Sequence, residues 1–117
     1  MLVFLREAIG VLQGDLALFS DFAHGGDMWT GEGARERREH IAFSPAFRSA
    51  PVVHVAFSLW DTDSATNARM DISAANVTPD GFDVVFRTWG DTRVARVRAR
   101  WLAIGAAHHP DDWQGID

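Results

Sequence analysis

An arginine and a tryptophan, Arg69 and Trp89, stand beside turn signals in the stretch NARMDISAANVTPDGFDVVFRTWGDTRVARVRARWLAIG, residues 67–105. A guanidinium offers a rigid fork of donors and an indole a flat apolar face, so the pair suits a flat polar ligand gripped at strand ends. Other chemistries find less support. The chain has no cysteine, which excludes a disulfide, a thiolate metal site and a cysteine nucleophile. His108 and His109 precede Pro110, Asp111 and Asp112 without helical HExxH spacing, so a solvated tail is expected there rather than a metal site. Asp61 and Asp63 flank Thr62 and read as an acidic turn in preference to a calcium loop. No nucleophile elbow, phosphate-binding glycine loop or dinucleotide fingerprint is present. No catalytic residue, metal or cofactor is therefore expected.

The elements that must position Arg69 and Trp89 follow from alternation. Residues 69–74 place Met70, Ile72 and Ala74 on one face, and Phe82, Val84 and Phe86 repeat the pattern after Thr78-Pro79-Asp80-Gly81. That tetrapeptide is expected to form a tight turn with Gly81 at positive φ. A last long strand sets Ala95, Val97, Ala99, Trp101 and Ala103 toward a core, with Val94, Arg96, Arg98, Arg100 and Leu102 opposite. Such a row of arginines needs solvent or partners, which Asp71, Asp83 or a neighbouring subunit would supply. Upstream, Val53, Val55, Phe57 and Leu59 share one face and Val52, His54, Ala56, Ser58 and Trp60 the other. Both faces are thus partly covered, as in a sandwich or an oligomer. Residues 20–39, with four glycines and a run of Arg and Glu, read as a structured loop anchored by Met28 and Trp29, and strand texture begins at His40.

At 117 residues and 47% hydrophobic, the chain fits one domain of globular composition. Its 11 basic residues are all Arg, yet the formal net charge is -5, which opposes non-specific phosphate attraction and argues against nucleic acid as a partner. The N-terminus has neither a signal-peptide pattern nor a membrane span, so the expected location is cytoplasmic as synthesised, or within an extracellular particle released by lysis. Leu2, Leu5, Ile9 and Leu12 fall at spacings of 3, 4 and 3, the seam of a short coiled coil. Residues 1–12 are accordingly read as an N-terminal oligomerisation or attachment segment, with two assignments open, a short helix and a first strand packed on the core. Residues 13–107 form the domain and 108–117 a polar C-terminal tail. Short strands with hairpin-length connections make the fold class all-β, an antiparallel β-sandwich.

The ordered set IAFSPAFRSAPVV, an aspartate-rich loop, NAR, ANVTPDGF, RTWGDT and a closing strand with Trp101 resembles the H-type lectin domain of snail agglutinins and slime-mould discoidins, in a bacterial or phage-like member. The resemblance runs from about Trp29 to Gly105. It implies a six-stranded antiparallel β-sandwich that assembles as a trimer, sometimes a hexamer, and binds galactose or N-acetylgalactosamine type sugars between protomers. The family's sugar-binding arginine matches Arg69, with Asn67 just before it, and its tryptophan matches Trp89. Its histidine after that tryptophan is Gly90 here, and its aromatic residue further along is Ala95. Its early-loop glycine and aspartate fall near Gly31 and Glu32. The core of a site is therefore present while its specificity determinants differ.

Sugars present vicinal hydroxyls and a weakly apolar ring face, a combination met by bidentate donors, carboxylate acceptors and an aromatic platform. Arg69 with Glu32 or Asp91 supplies the first two and Trp89 the third. The expected partners are a glycan ligand and two further copies of the chain, without membrane insertion. Glu32, Asp61, Asp63 and Asp91 could act in glycoside hydrolysis only at the correct carboxylate separation, and no enzyme activity is expected. The alternative is a structural component, such as the receptor-binding tip of a phage-like tail fibre docked on a fibre or baseplate carrier, that binds a surface polysaccharide or no sugar at all.

Overall fold

The computed structural model describes residues 1–4 and 6–109. In chain order it contains β1 (Ile9–Phe19), α1 (Asp21–His24), α2 (Asp27–Thr30), β2 (Arg35–Ala42), β3 (Val52–Thr62), β4 (Met70–Thr78), β5 (Gly81–Thr88) and β6 (Val94–Ala106). Two three-stranded antiparallel sheets result, ordered β1-β6-β3 and β2-β5-β4. The strand alternation read from the sequence therefore gives the all-β sandwich it implied. No helix among the described residues is long and apolar enough to cross a membrane.

The two central strands carry the core. Phe82, Val84 and Phe86 of β5 are fully buried, as are Ala99 and Ala103 of β6, and Val97 and Trp101 nearly so. Phe82 meets Trp101 edge-on with centroids 5.5 Å apart, and Phe86 meets Phe19 of β1 at 5.1 Å and Phe57 of β3 at 6.1 Å. These rings join the two sheets, and burying each contributes about 1.5–3 kcal/mol.

Several expectations are corrected by strand pairing. Of the two assignments for the N-terminus the helix falls and the strand holds: Ile9–Leu12 are extended in β1 and pair with Ala103–Ala106 of β6, while Leu5 lies outside the described residues. Helical spacings of 3, 4 and 3 do not share a face in a strand: Ile9 is exposed while Leu12 packs against the core, and pairing along β6 decides the outcome. Gly81 does not have positive φ; positive-φ glycines among the described residues are Gly25, Gly33 and Gly90. Gly81 is needed for close approach instead, since a Cβ there would sit 2.3 Å from the Ile41 carbonyl oxygen of β2. The special conformation of this hairpin falls on Asn76, φ 52, where the β4–β5 register shifts.

In β3 a second register shift between Phe57 and Leu59 sets Leu59 opposite Arg98, so Leu59 leaves the inward face it was expected to share. A third, between Asp61 and Thr62, accompanies the full burial of Val94, expected on the arginine side. Asp71 and Asp83 lie in the other sheet and do not pair with the β6 arginines. Asp15 of β1 takes Arg100 at 2.7 Å and Asp61 of β3 takes Arg96 at 3.2 Å. β2 begins at Arg35 rather than His40, and its charged run RERREH alternates like any strand. The expected tail 108–117 lies outside the described residues beyond His109.

Candidate functional site

The start of β2, the end of β5, the start of β4 and the loop into β6 meet at one end of the sandwich, which gathers residues far apart in the sequence. Buried threonines hold the backbone of Arg69. Its N–H donates to Thr92 Oγ1 at 3.0 Å, and its carbonyl accepts from Thr88 Oγ1 at 2.6 Å. Both threonines are 1% exposed or less, whereas the Arg69 side chain is exposed. The main chain of Arg69 is thus fixed while its guanidinium is presented to solvent.

Trp89 follows Thr88 and is 44% exposed, a large apolar surface for a side chain that could have turned inward. Gly90 has φ 70, a left-handed conformation that glycine adopts without strain, and its missing side chain leaves Arg69 Cδ 3.7 Å from where a Cβ would lie. The Gly90 carbonyl accepts from Gly33 N–H at 2.9 Å, joining the early loop to the Trp89 loop.

Asp91 is gripped by Asn67. The Asn67 Nδ2 group donates to its two carboxylate oxygens at 3.1 and 3.3 Å, and the Asn67 backbone N–H donates at 3.4 Å. Asn67 thereby spends its amide donors on positioning Asp91. The side-chain hydrogen bond from Asn67 is the main cause that holds the Asp91 carboxyl below its usual 3.8, with smaller help from the Asn67 backbone and the Arg69 charge against desolvation. A carboxylate stabilised in the fold contributes stability in full above its unfolded value and loses it as pH falls through the lowered folded value. Thermal midpoints of wild type and Asp91→Asn, followed from pH 5 to pH 2, should therefore converge only below about 3.8. Convergence at higher pH would show that the Asn67 clasp does not hold Asp91 ionised.

The early loop is pinned by arginines that the sequence did not mark as functional. Arg35 and Arg37 pair with Thr88 and Phe86, so both stand on the inward side of β2. Arg35 donates to the carbonyls of Gly33, Asp27, Met28 and Thr92 at 2.7–3.2 Å, and Arg37 reaches Asp21 at 3.2 Å and Asp27 at 3.4 Å while lying over the Phe19 ring. Met28, fully buried beneath them, anchors α2. The alternation of Arg35 and Arg37 with Glu36 and Arg38 was the available signal, but a charged run hides inward positions at the end of a sandwich.

The candidate residues open into two recesses. Gly31, Glu32 and Asp91 line one of about 340 Å³ with Thr30, Thr66 and Arg93. Trp89 lines another of about 280 Å³ with Ala34, Arg35, Glu36, Arg87 and Thr88. Arg69 and Gly90 line neither of these two recesses. Asp61 pairs with Arg96, and the described residues contain no group of three or more His, Asp or Glu placed to hold a metal ion.

The H-type lectin domain profile matches residues 38–104, which include Arg69, Trp89 and Asp91. The chain belongs to the H-type lectin family. It is 56% identical over 110 residues to the protein named ATP synthase subunits region ORF 7 of Fuscovulum blasticum, covering 94% of this chain and 96% of that one. A discoidin-1 polypeptide of Dictyostelium discoideum is 37% identical over 75 residues, 63% of this chain, and the lectin chain spans only 30% of its length. In fold, discoidin II of Dictyostelium discoideum superposes with a TM-score of 0.73 at 24% identity, over 86% of this chain and 38% of that one. The lectin's resemblance in sequence thus extends to its sandwich architecture.

Proposed function

We propose that this H-type lectin domain binds galactose-type or other cell-surface glycans, without catalysis, at sites that two protomers of a trimer complete. The observation carrying this reading is the separation within one chain of an exposed Trp89 from the Glu32–Asp91 recess. A sugar gripped by a carboxylate and guanidinium on one side and an indole on the other fits between copies, with Arg69 and Glu32 from one and Trp89 from the next. Multivalent glycan arrays test it directly: retention of a defined sugar class is expected, and no retention at any density overturns the reading. Single sites of this size are weak, and three of them raise the apparent affinity through effective concentration.

The outer face of β1-β6-β3 supports the assembly. Val11, Ile104 and Val52 lie abreast across the three strands and are 59, 36 and 58% exposed, with Leu102 in the next row. A contiguous apolar patch of this kind marks an association surface. A recess of about 430 Å³ opens on the same face beside His54 and Leu102. Ile104→Asp is expected to convert the trimer to monomers in sedimentation velocity and to abolish retention on the array while a monomeric fold persists. A trimer that survives this substitution would place the contact elsewhere. The alternative of docking on a tail-fibre carrier drew in part on the seam of residues 2, 5, 9 and 12, and with Ile9 and Leu12 in β1 that part of its support is gone.

A further inference from the structure

Arg96, Arg98 and Arg100 stand on the outer face of β6, and strand pairing supplies two carboxylates for these three guanidiniums. Asp61 takes Arg96 at 3.2 Å and Asp15 takes Arg100 at 2.7 Å, while Arg98 has no hydrogen bond or ion pair among the described residues. A chain of formal net charge -5 thus leaves this one cation of the row uncompensated.

The sheet is also reshaped at the same residue. On β1 the register shifts between Ala17, opposite Arg98, and Phe19, opposite Val97. On β3 it shifts between Phe57, opposite Ala99, and Leu59, opposite Arg98. Bulges therefore flank Arg98 on both neighbouring strands, and a bulge bends its strand, re-aims side chains and is frequent beside functional sites. A recess of about 280 Å³ opens there, lined by Ser20, Arg96 and Arg98 together with the apolar Ala17, Phe19, Leu59 and Val97. Phe19 and Val97 are otherwise buried core residues.

The polar groups of the recess have capacity to spare. Arg96 engages Asp61 through Nε, which leaves its terminal nitrogens without a bond among the described residues. Ser20 precedes α1, yet its hydroxyl makes no capping bond. The adjacent carboxylate, Asp21, is turned to Arg37 at 3.2 Å and to the Met28 N–H at 3.0 Å. Residues two apart on a strand share a face at about 7 Å, so the forks of Arg96 and Arg98 can converge on one group between them. Guanidiniums bind carboxylate, phosphate and similar oxyanions through paired N–H donors. The apolar lining suits an organic body attached to the anion, in the way of small-molecule sites that combine apolar walls with a few placed polar groups.

We infer that this recess binds an organic oxyanion, a sulfate, phosphate or carboxylate carried on a body with an apolar face such as a saccharide ring, with Arg98 as its main charge partner. One chain supplies every group named, so the inference stands apart from Arg69, Trp89 and the trimer.

The test follows the side-chain Nε–H resonances of Arg96 and Arg98 by NMR in the isotopically labelled full chain, at constant ionic strength held with sodium chloride. The probes are methyl galactoside 6-sulfate, galactose 6-phosphate, methyl glucuronide, inorganic sulfate and the uncharged methyl β-galactoside. At least one organic anion is expected to shift both resonances saturably with a midpoint of about a millimolar, and inorganic sulfate to need about tenfold more. Arg98→Gln should weaken that anion by about tenfold, read at Arg96, and leave the thermal midpoint unchanged because the side chain is exposed and unpaired among the described residues. Arg98→Lys keeps the charge without the fork and should restore only part of the affinity. No saturable shift from any organic anion overturns the inference, as does equal binding of inorganic sulfate or binding that survives Arg98→Gln. A wild type silent to every anion, with a trimer that is lost in Arg98→Gln, would overturn it too and give Arg98 to a contact between copies. Binding of methyl β-galactoside at Trp89 in any of these cases leaves the sugar reading standing.

Discussion

Glycan retention is expected to vanish in Arg69→Ala and in Trp89→Ala, each losing roughly 30-fold or more in apparent affinity as arginine and aromatic anchors do, and to return in part when the two variant chains are assembled together. The return is the informative half. In the proposed trimer, each assembly of mixed composition holds one boundary where the chain retaining Arg69 meets the chain retaining Trp89, so about one site in three is rebuilt there. A site contained within one chain could not recover this way. The variants suit the experiment because the fold uses the backbone of Arg69, through Thr88 and Thr92, and Trp89 is 44% exposed. Mixed trimers that stay silent, with both parents inactive and folded, would return the site to a single protomer. Retention by Trp89→Ala alone would remove the indole as the sugar platform.

The second large effect lies in the core. Phe86→Ala should lower the free energy of unfolding by about 3–5 kcal/mol, measured by denaturant titration at fixed chain concentration. Phe86 is fully buried on the central strand of one sheet and touches Phe19 and Phe57 on the two outer strands of the other. Its removal leaves a cavity between layers that neither sheet can close without breaking strand pairing. Phe86 also lies two residues before Thr88, so a loosened β5 should weaken sugar binding as well as stability. A loss below about 1 kcal/mol would mean that the layers collapse around the gap and that the ring does not join them.

For this lectin the sequence by itself determined the strands whose sides differ in polarity. Phe82, Val84 and Phe86 against Asp83 and Arg87, or Ala99 and Trp101 against Arg98 and Arg100, can face a core in only one register, because period-two alternation leaves no other arrangement. The family motifs were legible for the same reason that Arg69 and Trp89 were: both stand beside turns whose chemistry is local. What only the tertiary structure decided depends on neighbours distant in the chain. Ile9–Leu12 became a strand because β6 offered an unpaired edge, and RERREH became one because Arg35 and Arg37 found carbonyls and carboxylates in the early loop to satisfy their inward guanidiniums. Gly81 carries no positive φ, and its small size answers to β2 passing alongside. Asn67 reads as a ligand contact until folding brings Asp91 to its amide, and Arg98 is one of three like arginines until Asp61 takes Arg96 and Asp15 takes Arg100. An uncompensated charge is defined by what surrounds it, and the bulges that flank Arg98 come about only when β1 and β3 pair with β6.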